Sequence, residues 1–93
     1  MKPNETQTAT VRVLYFARLR ETLGKDEEEL VLPEGVDTVG ELAAFLRKRG
    51  ETWASELGLG KAVRVAVNQD MAGPETRISG GEEIAFFPPV TGG

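Results

Sequence analysis

Apolar and polar residues alternate near the start of the chain at the two-residue spacing of a β-strand. This pattern covers residues 10–16, which read TVRVLYF and are mostly β-branched or aromatic. The two faces of the predicted strand carry Val11, Val13 and Tyr15 on one side and Arg12, Leu14 and Phe16 on the other. A second strand is predicted over residues 28–32, ending at a turn formed by residues 33–35, PEG. We expect the two strands to pair as a hairpin.

The segment between these strands favours a short helix. Residues 17–23 are mostly good helix formers, and Gly24 follows at the position where a helix often ends in a left-handed residue. One or two helical turns are therefore predicted.

The main helix is predicted to begin after Thr38. Thr38 and Glu41 match a capping box. Apolar residues then recur at the i, i+3, i+4 and i+7 spacing of a helix face, at Val39, Leu42, Ala43 and Leu46. Gly50 is the expected stop. Residues 51–61 mix polar residues and glycines around Trp53, which indicates a loop or short helix held by that side chain.

Two further strands are predicted in the second half of the chain. Alternating valines over residues 63–67 indicate a strand that leads into a turn at residues 68–70. Glycines 80 and 81 mark another turn, and residues 83–87 form the last strand. Pro88 and Pro89 should end the sheet, because proline cannot donate a hydrogen bond to a ladder.

This order of elements predicts an α+β fold in which one main helix packs across a mixed sheet of four or five strands, the β-grasp arrangement. With 93 residues, the chain is expected to form a single domain over residues 1–93. Residues 1–9 are polar and predicted to be a flexible leader, and residues 88–93 an extended C-terminal tail.

The composition leaves few side chains for catalysis. The chain has no Cys and no His, which excludes thiolate and imidazole nucleophiles, disulfides and the usual zinc ligand sets. The only dense carboxylate run is residues 26–29, DEEE, and such a run is more often a solvated loop or strand edge than a metal site. We therefore expect no bound metal or cofactor and no self-sufficient enzyme.

The charge pattern argues against nucleic acid as a partner. Eleven basic and fifteen acidic residues give a net charge of −4, without a basic stripe. Neither a signal peptide nor an apolar run long enough to span a bilayer is evident, so we expect no membrane association and a cytoplasmic location.

The C-terminus itself is the remaining candidate for chemistry. Two prolines stiffen the exit from the last strand, and Gly92 and Gly93 have no side chains, so the tail can enter a narrow channel in another protein. A carboxylate is a poor electrophile and requires activation, for example by adenylation with ATP on a partner enzyme. Sulfur could then replace the adenylate and leave a thiocarboxylate on Gly93.

Three stretches of the chain resemble the small-subunit family of molybdopterin synthase. They are VLYFARLRE at residues 13–21, AVNQ at residues 66–69 and EEIAFFPPVTGG at residues 82–93. The resemblance spans about residues 10–93, and its C-terminal block is the most specific part.

The resemblance implies a ubiquitin-like β-grasp protein whose terminal glycine, here Gly93, is adenylated by an E1-like adenylyltransferase and converted to a thiocarboxylate with a sulfur-transfer enzyme. The tail would then enter the large synthase subunit and supply sulfur to cyclic pyranopterin monophosphate, which becomes the dithiolene of molybdopterin. The implied assembly is a heterotetramer of two small and two large subunits, in which the large subunit performs the catalysis.

Partner contacts are expected around the base of the tail. Phe16, Met71 and Phe87 are hypothesised to form an exposed apolar patch, although a strand phenylalanine commonly belongs to the core. The tail residues Pro88, Pro89, Val90 and Thr91 are expected to touch the partner as well. Arg20 either pairs with acidic groups of a partner or is simply solvated.

Three alternatives remain open at this point. The chain could be a sulfur carrier for thiamine or a tungsten cofactor, with the same chemistry at Gly93. It could be a ubiquitin-like modifier joined to lysines, although its tail is apolar and stiffened by proline. It could also be an interaction module whose tail has no chemical role.

Overall fold

The computed structural model describes residues 9–58 and 63–88. The strands are β1 (Thr10–Tyr15), β2 (Glu27–Val31), β3 (Arg64–Val67), β4 (Asp70–Ala72) and β5 (Glu83–Phe87). The helices are α1 (Arg18–Leu23), α2 (Val39–Arg47) and α3 (Glu51–Glu56).

The five strands form one mixed sheet in the order β2-β1-β5-β3-β4. β1 pairs antiparallel with β2, as predicted, and parallel with β5 at the centre of the sheet. β3 pairs antiparallel with both β5 and β4. The result is the predicted α+β ubiquitin-like β-grasp, and the short strand β4 makes the count five.

The core lies between the inner face of the sheet and the helices. Alternation puts every second residue of β1 and β5 on this face, and α2 supplies its apolar stripe. The side chains that are no more than 2% exposed include Val11, Val13, Tyr15, Leu42, Leu46, Ile84 and Phe86. Burying each of the large ones stabilises the fold by roughly 1.5–3 kcal/mol before entropy is counted.

The capping box predicted for the main helix is present. The Thr38 side chain accepts a hydrogen bond from the Glu41 amide at 3.2 Å, and Glu41 Oε1 accepts one from the Thr38 amide at 3.1 Å. Glu41 Oε1 also accepts from the Asp37 amide at 2.7 Å. Three amides near the start of the helix, which have no partner within it, are thus satisfied.

The end of the main helix differs from the prediction. α2 ends at Arg47, before the stop expected at Gly50, because the Lys48 and Arg49 amides bond the carbonyls three residues back and tighten the last turn. Gly50 instead lies directly before α3, and residues 51–56 form this short helix. Three strands also differ from the prediction by one residue: β1 ends at Tyr15 rather than Phe16, β2 covers Glu27–Val31 rather than 28–32, and β3 begins at Arg64 rather than at residue 63.

The longest helix in residues 9–58 and 63–88 is α2, with nine residues, and none there has the length and apolar character needed to cross a bilayer. The predicted leader, residues 1–9, lies outside the described part of the chain except for Ala9.

The capping box gives a first test of the fold. Thr38→Ala should lower the free energy of unfolding by about 1 kcal/mol, because the Glu41 amide loses its acceptor. Urea denaturation measures the change. Thr22→Ala is the matched control, since the Thr22 hydroxyl donates to the Arg18 and Leu19 carbonyls within α1 and its loss leaves no amide unpaired. Equal stability of the two variants would mean that the cap does not stabilise α2.

Candidate functional site: the outer sheet face at the base of the tail

The tail leaves from the middle of the sheet. β5, which precedes it, is hydrogen-bonded on one side to β1 and on the other to β3. Ile84 and Phe86 anchor this strand in the core, and the half-buried Pro88 follows Phe87 directly. The base of the tail is therefore held rigidly. The predicted site residues Pro89, Val90, Thr91, Gly92 and Gly93 lie outside the described residues.

A row of apolar residues crosses the outer face of the sheet, opposite the helices. The strand register aligns Leu14 of β1, Ala85 of β5, Ala66 of β3 and Met71 of β4. Neighbouring strands lie about 4.8 Å apart, so the row extends for roughly 14 Å across the sheet. The two alanines at its centre leave it shallow between the larger ends.

The three residues predicted to form an exposed patch all lie on or next to this row. Phe16 is 46% exposed and Met71 59% exposed, while Phe87 is half-buried. The Phe16 amide donates to the Phe86 carbonyl at 3.1 Å, which keeps Phe16 aligned with the parallel ladder and beside Phe87. We call the set Leu14, Phe16, Ala66, Met71, Ala85 and Phe87 the apolar patch.

Two arginines are near the apolar patch in sequence or register. Arg64 of β3 is exposed and pairs in register with Phe87. Arg20 is exposed on α1, four residues after Phe16, and neither arginine forms an ion pair with another residue in the described ranges. Arg18, by contrast, is paired with Glu56 at 3.0 Å. Sequence reasoning named Arg20 but missed Arg64, whose position depends on the pairing of β3 with β5.

A polar network lies on the inner side, at the end of β1 nearest the tail. The buried Tyr15 hydroxyl donates to Glu28 Oε2 at 2.7 Å, and Arg49 donates to both Glu28 oxygens at 2.7 and 3.0 Å. The Arg49 guanidinium also lies 4.7 Å from the centre of the Trp53 ring, which meets Tyr15 edge-on. Trp53 thus holds α3 to the sheet, as its surroundings in the sequence suggested.

The same network stabilises the strand that carries the tail. Tyr15 stacks on Phe86, with ring centres 6.2 Å apart and an angle of 13° between the planes. Phe86 is the neighbour of Phe87, so the network lies directly behind the apolar patch. Sequence reasoning missed it because Glu28 and Arg49 are 21 residues apart.

The environment shifts the acidity of two members of the network. Burial, helped by the bond to Glu28, raises the pKa of the Tyr15 hydroxyl above its ordinary value. Burial alone would raise the pKa of Glu28 too, but the hydrogen bonds from Arg49 and Tyr15 outweigh it and lower that pKa below its ordinary value. Glu28 is therefore an ionised anchor at neutral pH.

The carboxylate run at residues 26–29 is divided between different neighbours. Glu28 belongs to the network just described, and Glu27 lies 3.9 Å from Arg12 on the outer face. Over residues 9–58 and 63–88, no group of three or more His, Cys, Asp or Glu side chains is arranged to hold a metal ion.

The family assignment rests on a match over most of the chain. The profile of the ThiS family matches residues 13–93. The chain belongs to the ThiS family. Its C-terminal glycines and the apolar patch both lie within the matched residues.

Several relatives of this ThiS-family chain are named as subunits of molybdopterin synthase or of molybdopterin-converting factor. The molybdopterin synthase sulfur carrier subunit of Haemophilus influenzae is 41% identical over 83 residues, covering 89% of this chain and 99% of the relative. A Pyrococcus furiosus structure, provisionally assigned as molybdopterin converting factor subunit 1, is 38% identical with a TM-score of 0.73, covering 89% of this chain and 100% of that one. A complex of subunits 1 and 2 of molybdopterin-converting factor from Helicobacter pylori contains a chain 25% identical with a TM-score of 0.61, covering 90% of this chain and 99% of that one. The family resemblance read from the sequence is confirmed.

The network behind the apolar patch predicts a pH-dependent stability. The pKa of Glu28 is lower in the folded protein than in the unfolded chain. Its contribution to the free energy of unfolding is therefore complete above its ordinary pKa of 4.5, and it is lost as the pH falls through the pKa of the folded protein. Glu28→Gln should cost about 1–3 kcal/mol at neutral pH. The difference in the free energy of unfolding between Glu28→Gln and the unsubstituted protein should become smaller at acidic pH.

Urea denaturation at several pH values measures this effect. Glu29→Gln is the matched control, because Glu29 is an exposed neighbour on the outer face with no ion pair in the described part of the chain. A Glu28→Gln penalty that is absent at neutral pH, or that grows in acid, would contradict the assigned role.

Proposed function

We propose that this chain is the sulfur carrier subunit of molybdopterin synthase and that Gly93 carries the sulfur as a thiocarboxylate. The observation that supports this most strongly is the placement of the tail. It follows a central, doubly paired strand and begins beside the apolar patch, in which Phe16 and Met71 are exposed. The names of the relatives point to the same function.

The proposed chemistry takes place at the main-chain terminus. The Gly93 carboxylate is adenylated with ATP by an E1-like enzyme, which releases pyrophosphate. Sulfur at the oxidation level of sulfide, delivered by a sulfur-transfer enzyme, then displaces AMP and leaves the thiocarboxylate. The thiocarboxylate then supplies its sulfur to cyclic pyranopterin monophosphate in the large subunit. This route needs no Cys or His in the carrier, and the chain has neither. Gly92 and Gly93 leave the terminal carbonyl free of side-chain bulk.

The apolar patch is the proposed docking site for the large subunit. Its exposed residues Phe16 and Met71 and the half-buried Phe87 would supply apolar contact area, while Arg20 would pair with acidic groups at the rim. Pro88 and residues 89–91 would line the path of the tail into the partner. A rigid base for the tail favours this arrangement, because little conformational entropy is lost on docking.

The assembly proposed is a heterotetramer of two small and two large subunits. Residues 1–93 would act as one domain in the cytoplasm, with residues 1–9 as a leader and residues 88–93 as the inserted tail. ATP would be bound by the activating enzyme and not by this chain.

The docking proposal predicts a loss of binding on placing a charge in the apolar patch. Phe87→Asp should weaken the affinity for the large subunit by at least about tenfold, because a carboxylate would be desolvated in the interface. Met71→Asp should act in the same direction, and Met71 is more exposed, so its replacement perturbs the fold less. Isothermal titration calorimetry measures the affinities.

Val31→Asp is the matched control for the docking experiment. Val31 is 54% exposed on the same outer face, but it lies on the edge strand β2, outside the apolar patch. This variant should bind normally. Unchanged affinity in folded Phe87→Asp and Met71→Asp would refute the apolar patch as the docking site.

The carrier mechanism predicts that the terminal residue is indispensable for activity but not for folding. Deleting Gly93, or adding one alanine after it, should abolish molybdopterin formation in a reconstituted assay while leaving the thermal unfolding midpoint unchanged. Retained activity in either variant would contradict the mechanism. Gly-Gly remnants on lysines of cellular proteins would instead favour a protein modifier.

A further inference from the structure

Positive φ angles at residues other than glycine are concentrated beside the apolar patch. Glycine occupies five positive-φ positions in the described residues: Gly24, Gly35, Gly50, Gly80 and Gly81. The non-glycine residues with positive φ there are Ala17, Asn68 and Gln69. Ala17 follows Phe16 directly, and Gln69 lies two residues before Met71. Residues other than glycine thus occupy positive-φ positions next to Phe16 and Met71, the two most exposed residues of the apolar patch.

Ala17 adopts a conformation that strongly favours glycine. Its φ of 56° and ψ of −131° match the first central position of a type II′ turn, and the Leu19 amide closes that turn on the Phe16 carbonyl at 3.1 Å. The Cβ of an L-residue is disfavoured there. The Arg20 amide bonds the Ala17 carbonyl at 3.0 Å, so the turn is tied into α1 as well.

Gln69 occupies the second central position of the hairpin between β3 and β4. Val67 pairs with Asp70, so Asn68 and Gln69 form a two-residue turn, with φ values of 51° and 73° that match type I′. Glycine is the preferred residue at the Gln69 position. Asn68 is better suited to its own conformation and is held by two bonds with the Glu83 backbone, at 2.8 and 3.0 Å.

A side chain at a strained turn position has two opposite effects. It raises the free energy of the folded protein, and it narrows the range of backbone conformations that the turn can sample. A narrower range is an advantage where a neighbouring side chain has to be presented to a partner in one orientation, since less entropy is then lost on binding.

We propose that Ala17 and Gln69 are positioning residues for docking. Their side chains restrict the type II′ turn at Ala17 and the type I′ turn at Gln69. The restricted turns hold Phe16 and Met71 in the orientations that the large subunit binds. This inference rests on the proposed function, because it takes Phe16 and Met71 as contacts of that subunit.

The test replaces each positioning residue by glycine. Ala17→Gly and Gln69→Gly should each raise the thermal unfolding midpoint, because relief of the turn strain exceeds the entropy that glycine adds to the unfolded chain. Each should nevertheless weaken binding to the large subunit by about two- to fivefold, and the double variant by about 4- to 25-fold. A merely structural role would not couple higher stability to weaker binding.

Two controls isolate the effect of backbone freedom. Ala17→Ser keeps a Cβ and should retain the affinity of the unsubstituted protein. Ala54→Gly makes the same change on the exposed side of α3, where it should lower the unfolding midpoint and leave binding unaltered.

Each outcome of the titration bears on the inference. If the unsubstituted protein does not bind the large subunit, the proposed function fails and this inference fails with it. If it binds and the double glycine variant binds equally well, only the positioning role is overturned. Glycine variants that are less stable than the unsubstituted protein would show that the turns are not strained, which overturns it too.

Discussion

The parallel pairing of β1 with β5 is the contact on which the rest of the structure depends. It joins the first strand to the last, and its register, from Arg12 with Glu83 to Tyr15 with Phe86, determines which residues share a face. On the inner side it stacks Tyr15 against Phe86. On the outer side it brings Phe16 next to Phe87 at the point where the tail begins. A parallel pair cannot be closed by a short turn, so the intervening helices and strands form the connection between β1 and β5.

The two faces of the sheet have different tasks. The inner face buries aliphatic and aromatic side chains against α2. One polar cluster, the ionised Glu28 with Arg49 and Tyr15, holds β1, β2 and the segment that follows α2 together. Because Glu28 has hydrogen-bond partners on both oxygens, the cost of its partial burial is offset. The outer face carries the apolar patch at the base of the tail and, beside it, charged residues such as Arg12 and Glu27. Rigidity behind the patch and apolar surface on it are the properties that a docking site at the base of a reactive tail requires.

Features set by short-range chemistry could be predicted from the sequence. The Thr38–Glu41 capping box, the left-handed Gly24 and the alternation in β1 and β5 each depend on residues within one turn or a few strand positions. Features that depend on contacts between residues far apart in the sequence could not be predicted. Arg64 lies beside the apolar patch only because β3 pairs with β5, and Glu28 meets Arg49 only after the chain has folded. The turn at Ala17 was missed for a different reason, since local propensity argues against an alanine there and the tertiary structure overrides it.

The proposed function is that this protein carries one sulfur atom at its C-terminus and transfers it. The most direct measurement is a single-turnover reaction in which the protein bears a radiolabelled sulfur at its C-terminus and is mixed with the large subunit and cyclic pyranopterin monophosphate. A sulfur carrier predicts that the label leaves Gly93 and appears in the pterin dithiolene without any added sulfur source. Label that remains on the protein, while the large subunit is bound and the pterin is unchanged, would contradict this function.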